Sequence, residues 1–243
     1  MGSPNFLIIG CQRGGTTSMY NYISSHPKVK PASQKEVHFF DINYHKGIEW
    51  YKEQFPNNVI TGEASPYYII HPHAPRRIAE DIPDVKIIAL LRNPIDRAYS
   101  HYCHEIRLGA ETLSFEDAIK QESQRLEGEL EKMLNDKSYY SYAHQHFTYL
   151  ERGKYIQQLE NSFRYFKDDQ ILILKSESLF EDLNETMKDV FEFLNLPDQK
   201  TEHKVFNLGN NPPLEKELRK EISEFFTPYN EKLYSYLGKN FHW

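Results

Sequence analysis

A glycine-rich segment near the start of the chain, Gly10-Cys-Gln-Arg-Gly-Gly-Thr-Thr-Ser18, constrains the fold more than any other feature. It follows a short apolar run, residues 6–9, that predicts a buried strand, and it precedes a helical pattern over about Thr17–Ser25. Between a strand and a helix, the N–H groups of a tight turn and the positive end of the helix point to one place, where an anion binds. The segment therefore predicts a phosphate-binding loop.

Later apolar runs predict the rest of a parallel sheet. The run Val85–Leu91 is nearly continuous, as a central parallel strand is, and shorter runs at Val59–Gly62 and Ile171–Leu174 predict two more strands. Helical patterns fill the intervals between these runs. We predict a single domain over residues 1–243 with an α/β fold, a P-loop-like central parallel β-sheet of about four or five strands flanked by helices on both faces.

Three longer stretches carry helical patterns. They run over Pro94–Arg107, Ser114–Phe166 and Pro213–Leu237. Within the second stretch, the acidic segment Glu122–Glu131 is typical of a solvated helix face. No repeat, low-complexity tract or linker divides the chain, which agrees with a single domain.

Composition limits the partners and the compartment. The net charge of −6 argues against a large nucleic-acid surface, so we expect no nucleic-acid partner. Two cysteines, Cys11 and Cys103, are too few for a disulfide framework, so we expect a reducing, cytoplasmic location. We expect no transmembrane segment, because no apolar run reaches the length needed to span a membrane. We expect no signal peptide, because the apolar run Phe6–Gly10 is too short for one. The sequence does not indicate an oligomeric state.

The predicted phosphate loop differs from that of nucleoside triphosphatases. Gly10 and Gly15 have the spacing of those loops, but Thr16 stands where they carry lysine, and the cation is Arg13. The strongest strand is followed by Arg92 rather than by an aspartate that would hold Mg²⁺. An arginine there attracts a second phosphate, so the pattern favours a ligand with two separate anionic groups.

The ligand 3′-phosphoadenosine 5′-phosphosulfate (PAPS) has this layout. Ser100 follows Arg92 by eight residues, about two helical turns, and could donate to the same phosphate. In the loop, Gly14 and Gly15 let the backbone close around an anion, and the hydroxyl donors are Thr16, Thr17 and Ser18. Sulfuryl transfer needs no metal in principle, because cationic side chains and backbone donors neutralise the departing bisphosphate (PAP).

Several blocks together resemble the PAPS-dependent sulfotransferases, within them the heparan sulfate sulfotransferase branch and its bacterial relatives. The resemblance runs from Phe6 to Trp243. It is carried by the phosphate loop, by Lys35-Glu-Val-His-Phe-Phe-Asp41, by Ile60-Thr-Gly-Glu-Ala-Ser-Pro-Tyr-Tyr68, by Leu90-Leu-Arg-Asn-Pro-Ile-Asp-Arg-Ala-Tyr-Ser100, and by later blocks that include Gly153-Lys-Tyr-Ile-Gln-Gln-Leu159. The loop and the two blocks that start at Lys35 and Leu90 are specific only in combination.

The resemblance implies a role for each matching residue. Glu36 is the implied general base, which takes the proton of the acceptor as it attacks sulfur. His38, two residues on, is implied as a helper or substrate contact that points the same way if the segment is extended. Arg13 is implied to stabilise charge on the leaving phosphate, and Arg92 and Ser100 to bind the 3′-phosphate. For Tyr155, a cofactor contact and a packed core position both remain open.

The chain departs from the family pattern at two single residues and in one late loop. Arg13 stands where the family often has lysine, which keeps the charge and changes the geometry of its donors. Ala64 stands where the heparan sulfate enzymes have a lysine taken to assist at the reaction centre, which puts a glycosaminoglycan acceptor in doubt or moves the task to another residue. The late cofactor loop, Asn207–Pro212, lacks lysine and arginine.

We expect in-line transfer of a sulfuryl group from PAPS to an acceptor hydroxyl or amine, with a glycan as the first expectation for the acceptor. A lipid or polyketide hydroxyl is the second expectation. Residues 114–149 are expected to cover the acceptor cleft, where their aromatic side chains could stack on sugar rings or pack in a helical core. Functions of other classes are a P-loop nucleotide kinase and a nucleotide-binding module without catalysis.

Overall fold

A computed structural model describes residues 2–203 and 211–243. The strands in these residues are β1 (Phe6–Gly10), β2 (Gly62–Ala64), β3 (Lys86–Leu91) and β4 (Ile171–Lys175). They form one parallel sheet in the order β2-β1-β3-β4. Helices surround the sheet, so the predicted α/β fold with a central parallel sheet is confirmed. The strands at Phe6, Val85 and Ile171 lie where the apolar runs predicted them.

The helices connect and follow the strands. In chain order they are α1 (Thr16–Ser24), α2 (Gly47–Lys52), α3 (Ala74–Asp81), α4 (Pro94–Leu108), α5 (Phe115–Arg125), α6 (Glu129–Asn135), α7 (Tyr142–His146), α8 (Tyr155–Phe163), α9 (Ser178–Glu181), α10 (Leu183–Phe193) and α11 (Lys216–Leu237). None of the helices in residues 2–203 and 211–243 is long and apolar enough to cross a membrane.

The described residues group into two compact units. The sheet unit comprises residues 2–91 and 161–203, and its core packs strand residues such as Ile8 and Ile88 against α1 and α10. The helical unit comprises residues 92–160 and 211–243, and its core includes Ile95 of α4, Phe115 of α5 and Phe226 of α11. That the whole chain is a single functional domain stays a prediction.

The second strand differs from its prediction. The apolar pair Val59 and Ile60 suggested a strand over Val59–Gly62, but β2 begins only at Gly62. Ile60 instead forms an isolated bridge to Val29, and β2 pairs with β1 from Gly62 onward. Ile60 thus pairs with a neighbouring loop rather than with β1, so the apolar pattern alone places the start of the strand at Val59 instead of Gly62.

The stretch predicted as helical over Ser114–Phe166 contains four helices separated by turns. The first begins where expected, because the side chain of Ser114 accepts a hydrogen bond from the N–H of Asp117 at 3.1 Å. The expected solvated acidic face is wrong at Glu122, which is 5% exposed. Its carboxylate accepts hydrogen bonds from the N–H groups of Leu150 and Glu151 at 2.7 and 2.8 Å, and burial raises its pKa to about 7.

Candidate active site

The phosphate loop leaves β1 at Gly10 and enters α1 at Thr16, as the sequence predicts. Gly15 is the N-cap of α1 with φ of 88°, a left-handed conformation that glycine adopts without steric cost. A glycine cap has no side chain to accept from the N–H groups of the first helical turn, which have no partner inside the helix. These donors and the helix dipole make the start of α1 suited to an anion.

The rest of the loop is packed tightly against the sheet. A Cβ at Gly14 would lie 2.7 Å from Sγ of Cys11, 2.9 Å from its carbonyl oxygen and 3.0 Å from that of Leu90, so a side chain has no room. The N–H of Cys11 donates to the carbonyl of Leu90 at 2.6 Å, and the hydroxyl of Ser176 donates to that of Gly14 at 2.7 Å. The loop is thereby tied to β3 and to the end of β4.

Arg13 occupies a left-handed backbone conformation with φ of 67° and is half-buried. For a residue with a side chain, this region costs on the order of 1 kcal/mol or more relative to the right-handed one. Strained positions of this kind cluster at functional sites, and Arg13 is the cation of this loop. Of the other predicted loop donors, Thr16 and Ser18 are buried and Thr17 is half-buried.

The segment Lys35–Asp41, called here the base segment, places an acid–base array in the sheet unit. Nε2 of His38 lies 3.0 Å from Oε2 of Glu36, and Nδ1 of His38 lies 2.7 Å from Oδ2 of Asp41. Nζ of Lys35 lies 2.9 Å from Oε1 of Glu36. The structure therefore brings Glu36 and His38 together and adds Asp41, to which the sequence alone assigned no role.

The contact between Glu36 and His38 does not arise from an extended segment. His38 has φ of 52°, a left-handed value, and its N–H is held by the hydroxyl of Ser65 at 3.1 Å. Other contacts fix the carbonyls of the segment. The side-chain amide of Asn43 donates to the carbonyl oxygen of Val37 at 3.0 Å, and the guanidinium of Arg77 donates to the carbonyl oxygen of Phe40 at 2.8 Å. The tertiary contacts of the segment thus hold a turn that brings the two side chains together.

The charges of the array stabilise one protonation state. Burial alone would raise the pKa of Glu36, but the hydrogen bond with His38 and the charge of Lys35 outweigh it and hold the pKa below its ordinary value. Burial alone would lower the pKa of His38, but its hydrogen bonds with Asp41 and Glu36 raise it to about 10. At neutral pH the array therefore holds an ionised Glu36 beside a protonated His38.

The helical unit contains the other predicted phosphate-binding residues. Arg92 directly follows β3, and Asn93 caps α4 by accepting from the N–H groups of Ile95 and Asp96 at 3.0 and 3.3 Å. Ser100 lies on α4 and is 3% exposed. The hydroxyl of Tyr155 donates to the carbonyl of Arg92 at 2.7 Å, and Tyr155 is 1% exposed. Tyr155 is therefore a packed residue that holds the backbone of Arg92.

Two further sequence observations bear on the site. Ala64, at the position of the family lysine, is fully buried among core residues of the sheet unit. Most of the late loop without basic residues, Asn207–Pro212, lies outside the described residues. Of the aromatic residues expected to cover the acceptor cleft, Tyr149 is fully buried, whereas Tyr140 and Tyr142 are 47% and 48% exposed. The ring of Tyr142 stacks on His146 at 4.2 Å.

Comparison with known proteins places the chain among sulfuryl-transfer proteins. The sequence model of the family described as "Sulfotransferase domain" matches residues 3–232. Heparan sulfate glucosamine 3-O-sulfotransferase 3B1 of Mus musculus is 30% identical over 99% of this chain, and the membrane-associated sulfotransferase kil1 of Dictyostelium discoideum is 26% identical over 99%. The chain spans 65% of the first relative and 66% of the second.

A solved structure extends the comparison to the fold. The crystal structure of a sulfotransferase from Alicyclobacillus acidocaldarius superimposes with a TM-score of 0.81 at 26% identity. The superposition covers 99% of this chain and 98% of that chain. The likeness therefore extends over almost the whole length of both chains.

Proposed function

Because the chain belongs to the sulfotransferase domain family, we propose that it transfers a sulfuryl group from PAPS to a hydroxyl or amine of a glycan. Membership of this family confirms the resemblance and the enzyme class that the motifs predicted. The observation that carries the proposal is the array in which Glu36 is held by His38, with Asp41 on the other side of the imidazole. An array of this kind supplies a fixed proton acceptor.

The phosphate loop fits the anionic end of PAPS. The N–H groups at the start of α1, the hydroxyl groups of Thr16 and Thr17 and the guanidinium of Arg13 are the donors that would hold it. Arg92 and Ser100 are the residues proposed for the 3′-phosphate. Bound PAPS supplies the sulfuryl group for transfer. The chain's own contribution is to fix the donor and to stabilise negative charge on the leaving bisphosphate.

The protonation states assign the base within the array. Both nitrogens of His38 face carboxylates, and its pKa of about 10 keeps the imidazole protonated, so it cannot accept another proton at neutral pH. Glu36 is ionised, and its side chain is 30% exposed. Each of its oxygens has one cationic partner and a further lone pair for an acceptor hydroxyl. Glu36 therefore takes the proton of the attacking group, and His38 orients the carboxylate.

A glycan is the proposed acceptor because relatives named for heparan sulfate are among those that match over 99% of this chain. The exposed rings of Tyr140 and Tyr142 offer surfaces that suit stacking on sugars. Ala64 supplies no cation at the position of the family lysine, and Lys35 beside Glu36 is a cation of the base segment that could take its part. A lipid or polyketide hydroxyl is the alternative acceptor.

The test combines turnover with binding. Glu36→Gln should abolish sulfuryl transfer from PAPS to heparan sulfate or to other glycans, yet keep the affinity for PAP, because only the proton acceptor is removed. Glu49→Gln, an exposed carboxylate of α2, is the matched control and should keep full activity. A fully active Glu36→Gln would refute the assignment of the base. Transfer to lipid alcohols alone would refute the glycan acceptor.

Stabilisation by bound ligand distinguishes the proposed sulfotransferase from the alternative, a P-loop nucleotide kinase. PAP at a hundred times its Kd should add about 2.7 kcal/mol, which corresponds to roughly 5–10 °C in Tm for a chain of this size. ATP with Mg²⁺ should have no such effect. A shift with ATP and Mg²⁺ alone would favour a nucleotide kinase, and a shift with PAP but no transfer to any acceptor would favour a binding module. The cytoplasmic location stays a prediction.

A further inference from the structure

Four consecutive backbone amides of the base segment donate into one hydrogen-bonded network. The N–H of Val37 donates directly to Oε2 of Glu63 at 3.2 Å, and that of His38 donates to the hydroxyl of Ser65 at 3.1 Å. The N–H groups of Phe39 and Phe40 donate to the hydroxyl of Tyr68 at 2.8 and 3.4 Å. Glu63 lies on β2, so the sheet itself anchors the segment that carries Glu36 and His38.

The directions of the two hydroxyl bonds that link the base segment to Glu63 are fixed. The hydroxyl of Ser65 accepts from the backbone and therefore gives its own proton to Oε2 of Glu63, at 2.6 Å. The hydroxyl of Tyr68 likewise accepts from the backbone and donates to Oε1 of Glu63, at 2.8 Å. Tyr51 donates to the same Oε1 at 2.9 Å. The hydroxyl protons of Ser65, Tyr68 and Tyr51 thus all point toward one carboxylate.

Glu63 is fully buried and has four donors, two on each oxygen. A carboxylate offers about four lone-pair sites, so its accepting capacity is filled. A protonated carboxyl would place its O–H against one of these donors. Burial raises the pKa of Glu63, and the hydrogen bonds from Ser65, Tyr68, Tyr51 and Val37 act against that rise. The four donors together stabilise the ionised form.

We propose that Glu63 is a positioning residue for the reaction. Through Ser65 and Tyr68 it fixes the backbone turn that sets Glu36 against His38. This inference rests on the proposed function, because it takes Glu36 to be the base. Glu63 is fully buried, so in this role it acts through the base segment and not by direct contact with the donor or the acceptor. A fully buried carboxylate is costly unless its hydrogen bonds are complete, and here three of the four come from the base segment or from hydroxyls that hold it.

Two tyrosines provide a matched test. Tyr51 and Tyr68 are both fully buried and both donate to Oε1 of Glu63, but only Tyr68 also accepts from the base segment. Tyr51→Phe and Tyr68→Phe each remove one hydroxyl group that donates to the same oxygen of Glu63. Both should lower Tm by similar amounts. Only Tyr68→Phe should lower kcat for transfer to heparan sulfate, by about tenfold or more, because the base is displaced, while Kd for PAP stays unchanged.

A readout without turnover makes the test independent of the acceptor. In Tyr68→Phe, the amides of Phe39 and Phe40 should exchange with solvent faster, and the pKa of His38 measured by NMR should fall from its raised value, because His38 is no longer held between Glu36 and Asp41. In Tyr51→Phe both quantities should match the unchanged protein. Equal behaviour of the two variants in exchange and titration would overturn the inference.

A second pair of variants guards against a failure to fold. Ser65→Ala removes the link from His38 to Glu63, and Glu63→Gln keeps the volume but turns one accepting oxygen into a donor. Both should lower kcat more than Kd for PAP, with Glu63→Gln the more severe. Loss of kcat in strict proportion to loss of Tm across all four variants would make the network purely structural. If Glu36→Gln is inactive while that proportion holds, only the positioning role fails. If Glu36→Gln is active, the proposed function fails first.

Discussion

Nε2 of His38 lies 3.0 Å from Oε2 of Glu36, and the other ring nitrogen faces Asp41 at 2.7 Å. An imidazole between two carboxylates has an acceptor for each N–H, so it binds its proton firmly. The resulting positive charge stabilises the ionised form of Glu36. The same contact therefore fixes the position of Glu36, the proposed base, and sets the pH range in which its carboxylate is ionised.

The first prediction concerns the acidic side of the pH–rate profile. His38 and Lys35 hold the pKa of Glu36 below its ordinary value, so transfer should persist as pH falls to values near or below the ordinary glutamate pKa. His38→Gln removes one of these charges and should move the acid limb of kcat to higher pH, besides lowering kcat. His45→Gln, an exposed histidine just beyond the base segment, is the control and should leave the limb in place. An unshifted limb in His38→Gln would contradict the coupling.

The second prediction concerns stability at alkaline pH. The pKa of His38 is raised from 6.5 to about 10, so the stability gained from its protonation is complete below pH 6.5 and is lost as pH rises toward 10. Each pKa unit corresponds to about 1.4 kcal/mol, so the total loss is on the order of a few kcal/mol. The free energy of unfolding, measured in urea between pH 6 and 10, should fall less steeply in His38→Gln than in the unchanged protein. Parallel curves would show that His38 does not hold its proton in the folded state.

The strand–turn–helix geometry of the proposed phosphate loop could be predicted from the sequence because its determinants are local. Gly14 and Gly15 allow a tight turn, the apolar run before them forms a strand, and the helix starts directly after. These three signals follow one another directly along the chain, between the start of β1 and the end of α1, and each has its own physical cause. The strand predicted over Val59–Gly62 begins only at Gly62 because Ile60 bridges to Val29, a contact that no local pattern reveals.

The residues that sequence analysis missed are those whose roles depend on distant partners. Asp41 is recognisable only once the chain turns at His38. Glu63 is an acidic residue on a short strand, and its importance comes from tyrosines and a serine that fold around it. Glu122 was interpreted as solvated because its neighbours are acidic, yet it caps backbone amides 28 and 29 residues away. Charge patterns along the chain do not encode such contacts.

The third prediction tests the packing of the phosphate loop. In Gly14→Ala the new Cβ would meet Sγ of Cys11 and the carbonyl oxygens of Cys11 and Leu90 at 3.0 Å or less. The loop must then move away from β3, so PAP should bind more weakly and the Tm shift with PAP should shrink. The double variant Cys11→Ala, Gly14→Ala removes only the sulfur and should not restore binding, because the two carbonyls remain. Full recovery in the double variant would show that the sulfur alone limits the space.

The last prediction separates the charge of Arg13 from its backbone strain. Arg13 has φ of 67°, which is costly for any residue with a Cβ and free for glycine. Arg13→Gly should therefore keep or raise the Tm of the ligand-free protein while it lowers the rate of sulfuryl transfer by about 10²-fold or more, since a charged donor to the leaving group is lost. Arg13→Lys keeps the charge and the strain, and should retain much of the rate with an unchanged Tm. A higher Tm together with a lower rate in Arg13→Gly would indicate that the loop accepts backbone strain in order to place a cation at the leaving group. Full activity in Arg13→Gly would show instead that the backbone donors of α1 bind and stabilise the leaving bisphosphate without it.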